Sequence, residues 1–136
     1  MFPSQQSRPG STGPPAADRF RVTTTPLPDR TVVLRLSGEA TPDHRKPLRD
    51  ALRTAVREDP ALLVIDLSTI GFCDATILNA LLETRLIADT AEVPLVLAGP
   101  PAQARRLLKL TGTDALLDLR PSVDAALPPD AAGRTP

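Results

Sequence analysis

The spacing of apolar positions changes along the chain from period two to period three-to-four and back, and each change marks an element. Arg19-Phe20-Arg21-Val22-Thr23 alternates polar and apolar residues, the pattern of a half-buried strand. Val32, Leu34 and Leu36 alternate with Val33 and Arg35 and predict a second strand ended by Ser37-Gly38. Pro26-Leu27-Pro28-Asp29 reads as a turn, so the two strands are expected to pair antiparallel across a longish loop. Leu48, Ala51, Leu52, Ala55 and Val56 then recur at the spacing of one apolar helix stripe, with Arg49, Asp50, Arg53 and Arg57 facing water. Glu58-Asp59-Pro60 ends that helix.

Leu62-Leu63-Val64-Ile65 is a continuous apolar run closing on Asp66, as in a parallel strand buried on both faces. After a short loop, Asp74 is placed to cap a second helix whose inward stripe is expected to be Leu78, Leu81, Leu82 and Leu86. Val93 to Leu97 predicts another buried strand; Pro94 has no amide proton and belongs at its start or at an edge. Pro100-Pro101 opens a third helix at its first turn, with Ala104, Leu107, Leu108 and Thr111 on one face and Gly112 as C-terminal cap. Leu116-Leu117-Asp118-Leu119 predicts a short last strand and Pro121 to Leu127 a short last helix. The order β-β-α-β-α-β-α-β-α predicts an α/β fold with a single mixed, mainly parallel sheet and right-handed crossovers.

Outside this body the patterning stops. Residues 1–17 are rich in Pro, Gly, Ser and Gln, and 128–136 are similar, so both are expected to be disordered tails flanking one domain over 18–127. No apolar run approaches the ~18–20 residues of a membrane helix, and no basic segment precedes an apolar one as in a secretory signal. The single cysteine, Cys73, excludes an intrachain disulfide and fits a reducing compartment, so a cytoplasmic protein is expected. Sixteen Lys and Arg balance sixteen Asp and Glu, without the basic excess of proteins that bind nucleic acid or anionic membranes. Neither Trp nor Tyr is present to stack on bases or sugars. No nucleic acid and no membrane partner is therefore expected.

Catalytic chemistry is hard to assemble from these residues. His44 is the only histidine; it forms no triad or zinc motif and is expected in an exposed loop. Cys73 has no second thiol and no neighbouring histidine, which favours a small apolar structural role over a reactive thiol. Phosphate-binding glycine loops and nucleophile elbows are absent. Asp66 and Asp74 close buried elements; together they could serve acid–base chemistry or hold a cation, but capping is their simpler role. Arg105-Arg106 reads as a solvated helix face. The expectation is no catalytic residue, no metal site and no cofactor. What remains is Gly71 to Thr76, a strand exit leading into a helix start, where free N–H groups suit a phosphate, a partner's carboxylate or a plain cap.

Val64-Ile65-Asp66-Leu67-Ser68, a four-residue gap, Cys73-Asp74 and then Leu78 resemble the STAS domain of bacterial anti-sigma factor antagonists. Upstream, Leu34-Arg35-Leu36-Ser37-Gly38-Glu39 is similar to that family's strand ending in Ser-Gly-Glu. Downstream, Ala98-Gly99-Pro100 and Arg105 to Gly112 resemble its last strand–helix unit. The resemblance spans Arg19 to Leu127. It implies a non-enzymatic switch that binds an anti-sigma factor with a GHKL-type serine-kinase fold and is released when phosphorylated at the loop–helix junction. A phosphate there adds about −1.5 to −2 charges to a tight interface.

The junction departs from the family pattern of Asp, acceptor Ser, Ser or Thr, Gly, Leu. Here it reads Asp74, Ala75, Thr76, Ile77, Leu78. Ala75 stands at the phosphoacceptor position, and a methyl group cannot accept phosphate. Ile77 replaces a glycine, which places a branched side chain where a partner or tight backbone is expected. The family's Gly-Glu-x-Asp loop reads Gly38-Glu39-Ala40-Thr41. The resulting expectation is an antagonist-like domain that binds through Asp74, Thr76, Glu39 and Thr41 without the serine switch, Thr76 being the one neighbouring hydroxyl. The alternatives are a degenerate STAS scaffold subunit and a small-molecule or nucleotide-binding module at the strand ends.

Overall fold

The computed structural model describes residues 20–127. The two expected tails, and the first two residues of the expected domain, lie outside them. Five strands form one sheet in the order β1-β2-β3-β4-β5. β1 (Arg21–Leu27) runs antiparallel to β2 (Thr31–Glu39), and β3 (Leu62–Phe72), β4 (Leu95–Ala98) and β5 (Leu119–Arg120) follow in parallel. This is the mixed, mainly parallel sheet that the alternation of elements predicts.

The hairpin is tighter than expected. β1 continues through Pro26 and Leu27, which pair with Val32 and Thr31, and the chain reverses over Pro28–Arg30. Asp29 and Arg30 make that reversal possible by taking left-handed φ values of 64° and 60°. Pro26 fits inside β1 because this is an edge strand, where an outward-facing amide has no ladder partner to lose.

β3 is also longer than its apolar run. Beyond Asp66 it continues to Phe72, pairing with Ser37, Gly38 and Glu39 across two register shifts. What reads as a loop in sequence is strand, because bulges interrupt the alternation that would reveal it.

α1 (Arg45–Arg57), α2 (Ala75–Ala91) and α3 (Ala102–Leu110) supply one large core with the sheet, in which Leu34, Leu36, Leu52, Ile65, Ile77 and Leu97 are fully buried. On the opposite face the short α4 (Val123–Ala126) joins a smaller cluster of Val33, Val64, Val96, Ala98 and Ala126. Leu63 and Ile65 therefore serve one core and Val64 the other, which is why the run in β3 shows no alternation.

Helix α2 is rotated from the expected stripe. Ile77, Ala80, Leu81, Thr84 and Ala88 are buried, Leu78 and Leu82 are only partly covered, and Leu86 is 68% exposed. Thr84 can occupy the core because its hydroxyl donates to the Ala80 carbonyl at 2.7 Å. In α3, Pro100 and Pro101 precede the helix rather than forming its first turn, with Pro101 at the N-cap position. Ala104 and Leu108 face the core, Thr111 is exposed, and Gly112 takes the left-handed conformation (φ 75°) just past the helix end. Thr113–Ala115 is a 3-10 turn, so the last strand is displaced from Leu116 to Leu119–Arg120. Pro94 lies just before β4, where its carbonyl accepts the Leu63 N–H at 2.9 Å.

Candidate functional site

The C-terminal ends of β2 and β3 lie side by side, with Glu39 in register with Phe72. The chain leaves β3 through Cys73 and Asp74 and enters α2 at Ala75. Asp74 caps that helix: its Oδ1 accepts the N–H of Thr76 at 3.0 Å and of Ile77 at 3.3 Å. Two of the amides that an approaching anion would use are thus already engaged by Asp74 itself. Ala75 is exposed and Thr76 half-buried on the same turn.

Ile77 is not where the sequence reading puts it. It is fully buried and belongs to the main core, so its branched side chain faces the sheet and not an approaching partner. The first turn of α2 therefore presents one face outward, Ala75, and one inward, Ile77.

Cys73 is buried, and both of its backbone groups are bound by one side chain from α3. Its N–H donates to Gln103 Oε1 at 2.8 Å, and Gln103 Nε2 donates to its carbonyl at 2.8 Å. Burial, with a smaller contribution from the Asp74 charge, pushes the thiol up to about 11, so it stays protonated at neutral pH. That is the chemistry of a structural cysteine. Sequence reasoning does not find Gln103: it lies 30 residues from Cys73, and nothing local distinguishes it from any polar helix residue.

Glu39 is exposed at the end of β2 and leans over Gly71, where an added Cβ would come 3.0 Å from Glu39 Cγ. The glycine makes room for that side chain. Ala40 is buried and Thr41 exposed. The Thr41 N–H donates to His44 Nδ1 at 2.9 Å, and the His44 ring lies 5.0 Å from that of Phe20. His44 is therefore a half-buried brace for the loop after β2, in place of the exposed loop residue expected. Phe72, 50% exposed, adds an apolar side chain at this end of the sheet.

Asp66 takes no part in this cluster. It is 1% exposed, and it accepts Arg35 Nε at 3.0 Å and the Ser68 N–H at 2.9 Å. Asp66 and Asp74 each have their own structural partners, so the carboxylate pair considered from sequence is not assembled. Among the described residues no group of three or more His, Cys, Asp or Glu comes together as a metal site, and no helix is long and apolar enough to cross a membrane.

Thr76 also opens a shallow groove of about 390 Å3 between α1 and α2, lined by Arg45, Arg49, Asn79, Ala80 and Glu83 as well. Arg49 Nε and Nη2 donate to the two Glu83 oxygens at 2.9 and 3.1 Å, and Arg53 Nη2 adds a third bond at 3.1 Å. The hydrogen bonds from Arg49, with both guanidinium charges, hold the Glu83 carboxyl below the usual carboxylate range.

The three longer helices cover one face of the mixed sheet and the short α4 the other, and the chain enters α2 at a capped helix start beside the strand ends. The family model described as "Mlab, STAS domain" matches residues 23–120, and the chain belongs to this family. Among solved structures it is similar to an anti-sigma factor antagonist from Mycobacterium paratuberculosis, with 29% identity and a TM-score of 0.73 over 82% of this chain and 93% of that one. The anti-sigma factor antagonist SpoIIAA in its unphosphorylated form shares the fold at 16% identity and a TM-score of 0.69, covering 85% of this chain and all (100%) of that one. An anti-sigma-factor antagonist (STAS) domain protein from Planctomyces limnophilus does so at 13% identity and 0.64, over 79% and 93% of the two chains. No curated protein matches the sequence.

Proposed function

We propose that this protein is an antagonist-type binding domain that docks an anti-sigma factor of the GHKL serine-kinase fold, and that it does so without a serine phosphoswitch. The contact surface is the start of α2, Asp74 and Thr76, with Glu39 and Thr41 at the neighbouring strand end. The observation that carries this reading is Ala75: it stands exposed on the capped first turn of α2, at the acceptor position of the family pattern, and has no hydroxyl. A domain in that condition stays in its binding form. The role is one of binding and not of catalysis: Asp74, the acid on this turn, is engaged as a helix cap.

The test is to incubate the protein with its anti-sigma kinase, ATP and magnesium and to map modifications by mass spectrometry. The expected result is a stable complex and no phosphate. A stoichiometric phosphate on Thr76 would show that the neighbouring hydroxyl takes over the switch and would overturn the second half of the proposal. Asp74→Lys should abolish capture of the kinase; undiminished capture would place the contact elsewhere and overturn the first half.

A further inference from the structure

Helix α1 carries five cations and one carboxylate in 13 residues, although the chain as a whole is neutral. Arg45, Arg49, Arg53 and Arg57 recur every fourth residue and form one slanted ridge, with steps of about 6 Å along the helix. Glu83 is the single carboxylate that α2 sets against this ridge, and it is saturated by both donors of Arg49 plus one from Arg53. The Arg53 Nε–H is buried with no acceptor. Arg45 and Arg57 are exposed and form no ion pair among the described residues. One turn beyond Glu83, Leu86 stands 68% exposed.

We propose that the α1–α2 face docks an acidic, amphipathic helical segment of a partner protein, with its carboxylates on the arginine ridge and an apolar side chain on Leu86. Glu83 shows the chemistry that this ridge holds, a carboxylate taken by the fork of a guanidinium. Acidic residues at every fourth position of a helix repeat at the same spacing as the arginines. Leu86 asks for an apolar contact, which a phosphate polymer or a lipid headgroup does not supply. The zero net charge also gives no general attraction for polyanions. The inference rests on the partner-binding reading, since Thr76 opens onto the same groove as Arg45 and Arg49.

The experiment titrates the 15N-labelled full chain with a synthetic helical peptide that carries Glu at every fourth position and Leu on the adjoining face. Expected are shifts of α1 and α2 amides and of the Arg53 Nε–H, an affinity that falls with added salt, and a loss of about tenfold or more in the Arg45→Glu/Arg57→Glu double variant. Neither residue forms an ion pair among the described residues, so that variant should keep the wild-type spectrum elsewhere. Equal binding of a peptide with the same composition and scrambled spacing overturns the proposal, as does equal binding by the double variant. So does stronger displacement of these resonances by a single-stranded oligonucleotide or by phosphatidylglycerol vesicles. Asp74→Lys separates the two readings: it should keep the peptide while losing the anti-sigma kinase. Loss of the peptide in Asp74→Lys, with Arg45 and Arg57 intact, would overturn the ridge as the docking site.

Discussion

Gln103 is joined to Cys73 twice, its amide oxygen taking the backbone N–H and its amide nitrogen giving to the carbonyl, each at 2.8 Å. A side chain from α3 thus completes the backbone pairing that β3 abandons as it turns into α2. The junction that presents Asp74 and Ala75 is held from across the fold.

Gln103→Ala should destabilise the protein by about 1–3 kcal/mol, because both backbone groups of Cys73 lose their partner in a half-buried setting. Gln103→Glu should not rescue it: an ionised carboxylate can accept the N–H but cannot donate to the carbonyl. Urea unfolding measures both, and a wild-type midpoint for Gln103→Ala would show that water replaces the amide without loss.

The thiol of Cys73 gives a pH signature. Its value is raised from an ordinary 9.0 to about 11. The unfolded chain therefore releases the proton first as pH rises, and the contribution is full below about pH 9 and lost as pH climbs towards 11. The shift is worth roughly 2–3 kcal/mol. Unfolding curves across this window, compared with Cys73→Ala, isolate the effect; identical slopes in both proteins would count against it. Below pH 8 the native thiol should react slowly with iodoacetamide.

Asp74→Ala removes the acceptor for the Thr76 and Ile77 amides and should cost about 0.5–2 kcal/mol. Asp74→Asn keeps an acceptor oxygen and should recover most of that stability. If the asparagine variant folds well but fails to bind the anti-sigma partner proposed above, the negative charge of Asp74 acts in recognition and not only as a cap.

Two neighbours on the first turn of α2 should respond oppositely to substitution. Ala75→Ser adds a hydroxyl to an exposed position and should change stability by no more than about 0.5 kcal/mol. Ile77→Gly removes a fully buried side chain and puts glycine in a helix, at a cost of about 3–5 kcal/mol. Thermal melts of the two variants check this. A stable Ile77→Gly protein would mean that the core closes over the void.

Features that depend on near neighbours were readable along the chain. The run Leu62–Ile65 signalled a strand covered on both faces, because burial on two sides requires apolar residues at successive positions. Asp74 could be recognised as a cap because its bonds reach only two and three residues ahead. The mixed, mainly parallel sheet followed from strands alternating with helices, while the strand order β1 to β5 came only with the structure.

Sequence alone determined the fold class, the helix start at Asp74 and the methyl side chain of Ala75, since each is set by local patterning or by residue identity. Tertiary structure decided that Ile77 faces the core, that Leu86 faces solvent, and that Glu83 sits between Arg49 and Arg53. It also decided that Gln103 reaches Cys73. The physical reason is rotation and distance. A helix carries apolar residues on more than one candidate stripe, and only packing against the sheet selects which turns inward. Contacts between residues about 30 positions apart exist only once the crossovers have brought their helices together.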